Sequence, residues 1–184
     1  MREFLESMWL FNIDKTTRHL IRLNIDEAAL LWIYAKEVPP PATILEIGRL
    51  LGGSTVLLAL ATHGSDKKII SVDLNEGPLN ADVDEWLEEY EEKDRIDIRV
   101  DNSHTMENLP LSMLFVDGDH SYEGIKKDFY HHWNYLHGPC LCHDYLGFEN
   151  RGVIKFIDEF IEQGYAEKVE QVSSMLVLKK LRDI

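Results

Sequence analysis

The stretch Ile44-Leu45-Glu46-Ile47-Gly48-Arg49-Leu50-Leu51-Gly52-Gly53-Ser54-Thr55 constrains the fold more than any other part of the chain. An apolar strand runs into a glycine-bearing turn and then into a helix. A reversal this sharp at a strand's carboxyl end needs backbone angles that glycine reaches without strain, and the helix start beyond it offers unpaired N–H groups to a ligand. A dinucleotide loop would read Gly-x-Gly-x-x-Gly. Here Leu50 stands at the second glycine's place and glycines return only at Gly52 and Gly53.

The rest of the chain alternates in the same way. The patterns predict strands over 43–47, 68–73, 95–100, 112–117 and 139–143, and helices over 54–62, 83–92, 122–136 and 151–162. Met113-Leu114-Phe115-Val116 is apolar without interruption, as in a strand covered on both faces. The runs 167–172 and 175–180 are separated only by Ser173-Ser174, too short for a parallel crossover, so they form an antiparallel hairpin. The expected fold is α/β: a doubly wound, mostly parallel, seven-stranded Rossmann-like sheet with an antiparallel C-terminal hairpin. Helical residues 1–38 precede it, with Asn24 or Asp26 as cap and Pro39-Pro40-Pro41 as stop. Residues 1–40 read as an N-terminal helical extension and 41–184 as the binding domain.

With 184 residues the chain suits one such domain. A formal charge of −14 argues against nucleic acid and against anionic membrane as partners, leaving a small molecule as the expected one. Asp84, Glu85, Glu88, Glu89, Glu91, Glu92 and Asp94 surround Trp86, Leu87 and Tyr90, which describes a solvated helix face. Cys140 and Cys142 lie two apart on a strand, face the same way and read as reduced thiols of a cytoplasmic protein. Met8 to Phe11 is too short for a signal-peptide core. The Trp- and Leu-rich amino-terminal helices read as core or as a homo-oligomer contact.

Glu-x-Gly-x-x-x-Gly-x-Ser at residues 46–54 resembles motif I of the class I S-adenosylmethionine-dependent methyltransferases. The resemblance implies that Glu46 meets the cofactor's amino group and that Gly48, Gly52 and Ser54 shape the site for its carboxylate. It further implies that Asp73, closing Ile69-Ile70-Ser71-Val72, accepts the ribose hydroxyls, and that Asp101 or Ser103 meets the adenine amine. The next strand ends deliver Asp117-Gly118-Asp119-His120-Ser121-Tyr122 and then Cys142-His143-Asp144-Tyr145.

That combination is similar to the small-molecule methyltransferases that include macrocin and cephalosporin-biosynthesis enzymes and, more distantly, catechol O-methyltransferase. The resemblance covers 44–178. It implies a divalent cation, Mg²⁺ or another, on Asp117, His143 and Asp144, with Mg²⁺ held by the two aspartates and water, or no cation, as the alternatives. His143 departs from the family's acidic residue and suits a transition cation better than Mg²⁺. Asp117 also belongs to the cofactor-binding set, and His120 is the expected base, with Asp117 and Asp144 beside it as catalytic residues.

Methyl transfer to a small-molecule hydroxyl is the expected reaction. An NAD(P)-dependent oxidoreductase and a noncatalytic cofactor-binding scaffold are the alternatives. Arg49 is unusual after the glycine, a pairing partner for Glu46 or for an acidic substrate.

Overall fold

Asn24 opens the first helix of the computed structural model, which describes residues 21–75, 87–88, 93–147 and 151–184. This helix, α1 (Ile25–Glu37), ends before the three prolines. Its Glu27 accepts the backbone N–H of Asn24 at 2.9 Å, satisfying one of the amides that a helix start leaves open. Ala28, Leu31 and Ala35 are buried in the same apolar cluster as the central strands, so this helix packs as part of the core.

The chain continues as β1 (Ala42–Ile47), α2 (Gly53–Ala61), β2 (Lys67–Asp73), β3 (Ile96–Val100) and β4 (Met113–Val116). It ends as α3 (Tyr122–His132), β5 (Pro139–Cys142), α4 (Arg151–Glu162), β6 (Ala166–Val172) and β7 (Met175–Lys180). The strands form one sheet in the order β3-β2-β1-β4-β5-β7-β6. Strands β1 to β5 are mutually parallel, and β7 runs antiparallel to both β5 and β6. The sheet is therefore the seven-stranded one expected, with the hairpin turning at Ser173-Ser174.

Side chains on successive strand positions enter opposite cores. Ile44, Met113 and Phe115 join the cluster under α1 and α2. Leu45, Leu114 and Val116 join the one under α3 and α4. In the second cluster Trp133 lies 4.8 Å from Phe160, and Phe129 lies 5.1 Å from both Phe156 and Phe160. The predicted helix over 122–136 closes as a 3-10 turn, Trp133–Tyr135. The predicted helix over 83–92 lies outside the described residues except for Leu87 and Glu88, and a 3-10 turn, Lys93–Arg95, follows it. Cys140 and Cys142 are free and buried with their sulfurs 3.7 Å apart. Among the described residues no helix is long and apolar enough to cross a membrane.

Candidate active site

Strand order reverses between β1 and β4, and a crevice opens there beyond the carboxyl ends of the strands, where open α/β sheets bind ligands. The cavity measures about 560 Å³, within the range of small-molecule sites. Gly48 sits at its floor with φ +88°, and a Cβ there would lie 2.1 Å from the Asp117 carbonyl oxygen. Both the angle and the approach of the β4 loop require glycine.

Asp73 shapes the loop that follows. Its Oδ2 accepts the N–H groups of Arg49 and Leu50 at 2.9 and 3.0 Å, and its Oδ1 accepts that of Asn75 at 3.0 Å. A carboxylate offers about four acceptor sites, so room for a further hydroxyl remains. Leu50, at φ +49°, is 62% exposed on the cavity wall. Arg49 turns away from the cavity and is buried, donating to the carbonyls of Ser71 and Arg99 at 2.9 and 3.2 Å. It ties together the ends of β2 and β3.

Glu46 is fully buried and does not line the cavity. Its Oε2 accepts from the Thr55 hydroxyl at 2.5 Å, and Thr55 in turn meets Ser71 at 3.0 Å. Burial pushes its carboxyl pKa up, while hydrogen bonds from Ser54, Ser71 and Thr55 and the charge of Arg49 pull the other way. Gly52, in the left-handed region at φ +83°, and Ser54, buried in the first turn of α2, also lie off the wall. The part of motif I that reaches the cavity is thus Ile47, Gly48 and Leu50.

The third strand end behaves differently for each predicted residue. Asp101 is exposed on the wall, and its Oδ1 accepts the N–H of Asn102 at 2.7 Å. Ser103 donates its hydroxyl to Asp128 on α3 at 2.7 Å. Asp128 is buried, lies 3.2 Å from His104 Nε2 and lines the cavity. Burial raises its pKa, opposed by the Ser103 hydrogen bond and by His104. His132, also buried, donates from Nε2 to the Ser103 carbonyl at 2.8 Å, and burial pushes its pKa down to about 4.

The Asp–His corner of the cavity is built by β4, β5, α1 and the hairpin turn. Backbone bonds from Asp117 to Ile47 (2.8 Å) and from His143 to Val116 (3.0 Å) prolong the ladders and aim both side chains into the cavity. Asp117 Oδ1 lies 3.0 Å from His143 Nδ1 and 3.6 Å from His120 Nε2. Asp144 Oδ2 lies 3.4 Å from His143 Nδ1 and 3.1 Å from His120 Nε2. Asp144 holds φ +60°, a conformation found mostly at functional turns in residues other than glycine. Ligand atoms of Asp117, His120 and Asp144 all lie within 4.8 Å of one another. The cluster that converges therefore includes His120 in addition to the expected aspartates.

His143 faces Asp117 with Nδ1 and the buried Glu27 with Nε2, at 3.2 Å. Burial opposes its charge, but hydrogen bonds to Asp117 and Asp144 and their charges push its pKa up to about 11. His120 is raised by its bond to Asp117, against burial and with help from the Asp144 charge. Glu27 was not legible as a site residue, because its sequence signal is that of a helix cap. Asp128 stood on a predicted helix with no mark of reaching the cavity, and Arg22, exposed before α1, also lines the wall.

A parallel sheet ending in an antiparallel strand, with a strand-end cavity of this make-up, defines the class I methyltransferase fold. The chain belongs to the methyltransferase domain family, whose model matches residues 45–145. A Podospora anserina methyltransferase solved with S-adenosylhomocysteine shares 15% identity and a TM-score of 0.68, covering 100% of this chain and 89% of that one. The TDP-rhamnose 3′-O-methyltransferase of calicheamicin biosynthesis gives 13% identity and 0.70, covering 91% and 84%. The Streptomyces achromogenes O-methyltransferase of tomaymycin synthesis, solved with S-adenosylmethionine, gives 17% and 0.62, covering 85% and 79%. By sequence, no curated protein matches. Family membership displaces the oxidoreductase alternative.

Proposed function

We propose that this chain transfers a methyl group from S-adenosylmethionine to a hydroxyl of a small molecule, with a divalent cation at the reacting corner. The observation that carries the reading is the convergence of Asp73, Asp101, Asp117, His120 and Asp144 on one cavity beyond adjoining strand ends. The cofactor fits the groups present: Asp73 retains acceptor capacity for ribose hydroxyls, and Asp101 and Asp128 present carboxylates to an adenine amine. The neighbouring structures that hold this cofactor or its product share the fold.

When bound, the cofactor supplies an electrophilic methyl carbon on a sulfonium. The chain's own residues place and prepare the acceptor. A hydroxyl between His120 and the two aspartates gives its proton to His120 Nε2, and its oxygen lies confined by the β4 and β5 loops. His120 accepts that proton only in its neutral form, which the paired carboxylates disfavour. The donor set fits a divalent cation on Asp117, Asp144 and the His143 imidazole, and such a cation would lower the acceptor's pKa.

Calorimetric titration with S-adenosylhomocysteine, with NADH as control, tests the cofactor class. Saturable binding of the first alone supports the reading; binding of NADH alone overturns it. Screening hydroxylated acceptors with methyl-labelled cofactor then tests the reaction, and transfer only to nitrogen acceptors overturns the hydroxyl assignment.

A further inference from the structure

The relation between Glu27 and His143 goes beyond what a helix cap requires. Glu27 is only 1% exposed, yet it is tied on both oxygens. Oε2 accepts from Asn24 N–H at 2.9 Å and faces His143 Nε2 at 3.2 Å. Oε1 accepts the N–H and hydroxyl of Ser174, in the hairpin turn, at 2.9 and 2.6 Å. The Ser174 hydroxyl also lies 3.3 Å from His143 Nε2. Two remote segments, α1 and the hairpin turn, thus fix the ring of one histidine.

What that ring faces gives the fixation a purpose. Carboxylate oxygens of Asp117 and Asp144 lie 3.0 and 3.4 Å from His143 Nδ1. Donors around an ion bonded at roughly 2.0–2.2 Å stand roughly 3.0–3.5 Å apart, so these spacings match one coordination sphere. A ligating imidazole is oriented by an acceptor on its other nitrogen, which is where Glu27 sits. An imidazole with two carboxylates suits a transition-series cation, whereas Mg²⁺ favours all-oxygen sets.

We propose that Glu27, with Ser174, is a positioning residue that holds His143 for a transition-series divalent cation bound by Asp117, His143 and Asp144, with His120 left free of the cation to act as base. This rests on the cation reading above. It makes α1 a working part of the reacting corner, and it gives the site a preference for Co²⁺ or Zn²⁺ over Mg²⁺.

The test uses metal-stripped protein titrated with Co²⁺ by calorimetry and visible absorption, with Mg²⁺ as comparison. Wild type, Glu27→Gln and Ser174→Ala are each also titrated with S-adenosylhomocysteine. Wild type is expected to bind Co²⁺ at least ~100-fold more tightly than Mg²⁺. Glu27→Gln should bind Co²⁺ ~10–100-fold more weakly, with an altered absorption band, at unchanged S-adenosylhomocysteine affinity. Equal Co²⁺ affinity in wild type and Glu27→Gln overturns the positioning role and leaves the cation reading intact. Absence of saturable Co²⁺ binding to wild type overturns both. Tighter Mg²⁺ than Co²⁺ binding overturns the preference, and failure of wild type to bind S-adenosylhomocysteine overturns the cofactor reading instead. Should Glu27→Gln not fold, Ser174→Ala decides: weakened Co²⁺ binding supports the role and unchanged binding overturns it.

Discussion

Asp73 holds the backbone N–H of Arg49 at 2.9 Å, so the carboxylate that closes β2 also sets the shape of the turn that closes β1. One side chain serves the loop and faces the cavity together. Asp73→Ala should therefore weaken S-adenosylhomocysteine binding by about 10–100-fold, the equivalent of a charge-assisted bond, while Asp73→Asn should retain part of it. Calorimetry checks this, and an alanine variant that binds like wild type removes Asp73 from the site.

Gly48→Ala should destabilise the fold and abolish cofactor binding. The methyl would meet the Asp117 carbonyl at 2.1 Å from a backbone at φ +88°. Strain of this kind with a backbone clash amounts to about 3 kcal/mol or more. The denaturation midpoint reads the first effect and calorimetry the second; a variant that keeps both contradicts the packing of the β1 and β4 loops.

Arg49→Met should lower stability by roughly 2–4 kcal/mol, because the carbonyls of Ser71 and Arg99 lose their buried donor and Glu46 loses its nearby cation. Arg49→Lys should not restore it, since a single ammonium lacks the guanidinium's fork. Urea unfolding distinguishes the cases, and a methionine variant within about 0.5 kcal/mol of wild type would show that the arginine is dispensable.

Acid should loosen the fold through His132. Its pKa lies at about 4 in the folded chain, below the ordinary imidazole value, so the unfolded chain takes up a proton that the native one refuses. The stabilising contribution is complete above about pH 6.5 and is lost as pH falls toward 4, on the order of 3 kcal/mol in all. Unfolding free energies across that window should fall less steeply in His132→Asn. Equal slopes in both proteins would count against a buried neutral ring.

Much of the fold was legible because its physics is local. Continuous apolar runs such as Met113–Val116 announce strands covered on both sides, and a two-residue link announces β6 and β7 as a hairpin. Strand ends announce Asp73, Asp101, Asp117 and Asp144 because open sheets bind ligands there. Long-range partnerships carried no such mark. Glu27 is 116 positions from His143, and its own neighbourhood explains it fully as a helix cap. Arg49 sits in a loop where sequence suggests a ligand contact, and only the Ser71 and Arg99 carbonyls that accept from its guanidinium account for its inward turn. Glu46 reads as a ligand group in the motif, yet the packing of α2 onto β1 shuts it away from the cavity.

The hairpin is the sheet's least protected part, for β6 is an edge strand whose ladder is with β7 alone and four of its seven residues are exposed. Its turn also carries Ser174, which holds Glu27 and whose carbonyl accepts the N–H of Tyr145 at 2.8 Å. Transient local opening of this edge, the kind of excursion that amide hydrogen exchange records, releases His143's support from one side and the β5 loop from the other. The fold's rim and the Asp–His corner are thus tied through one hairpin turn, so whatever loosens the rim also loosens the corner.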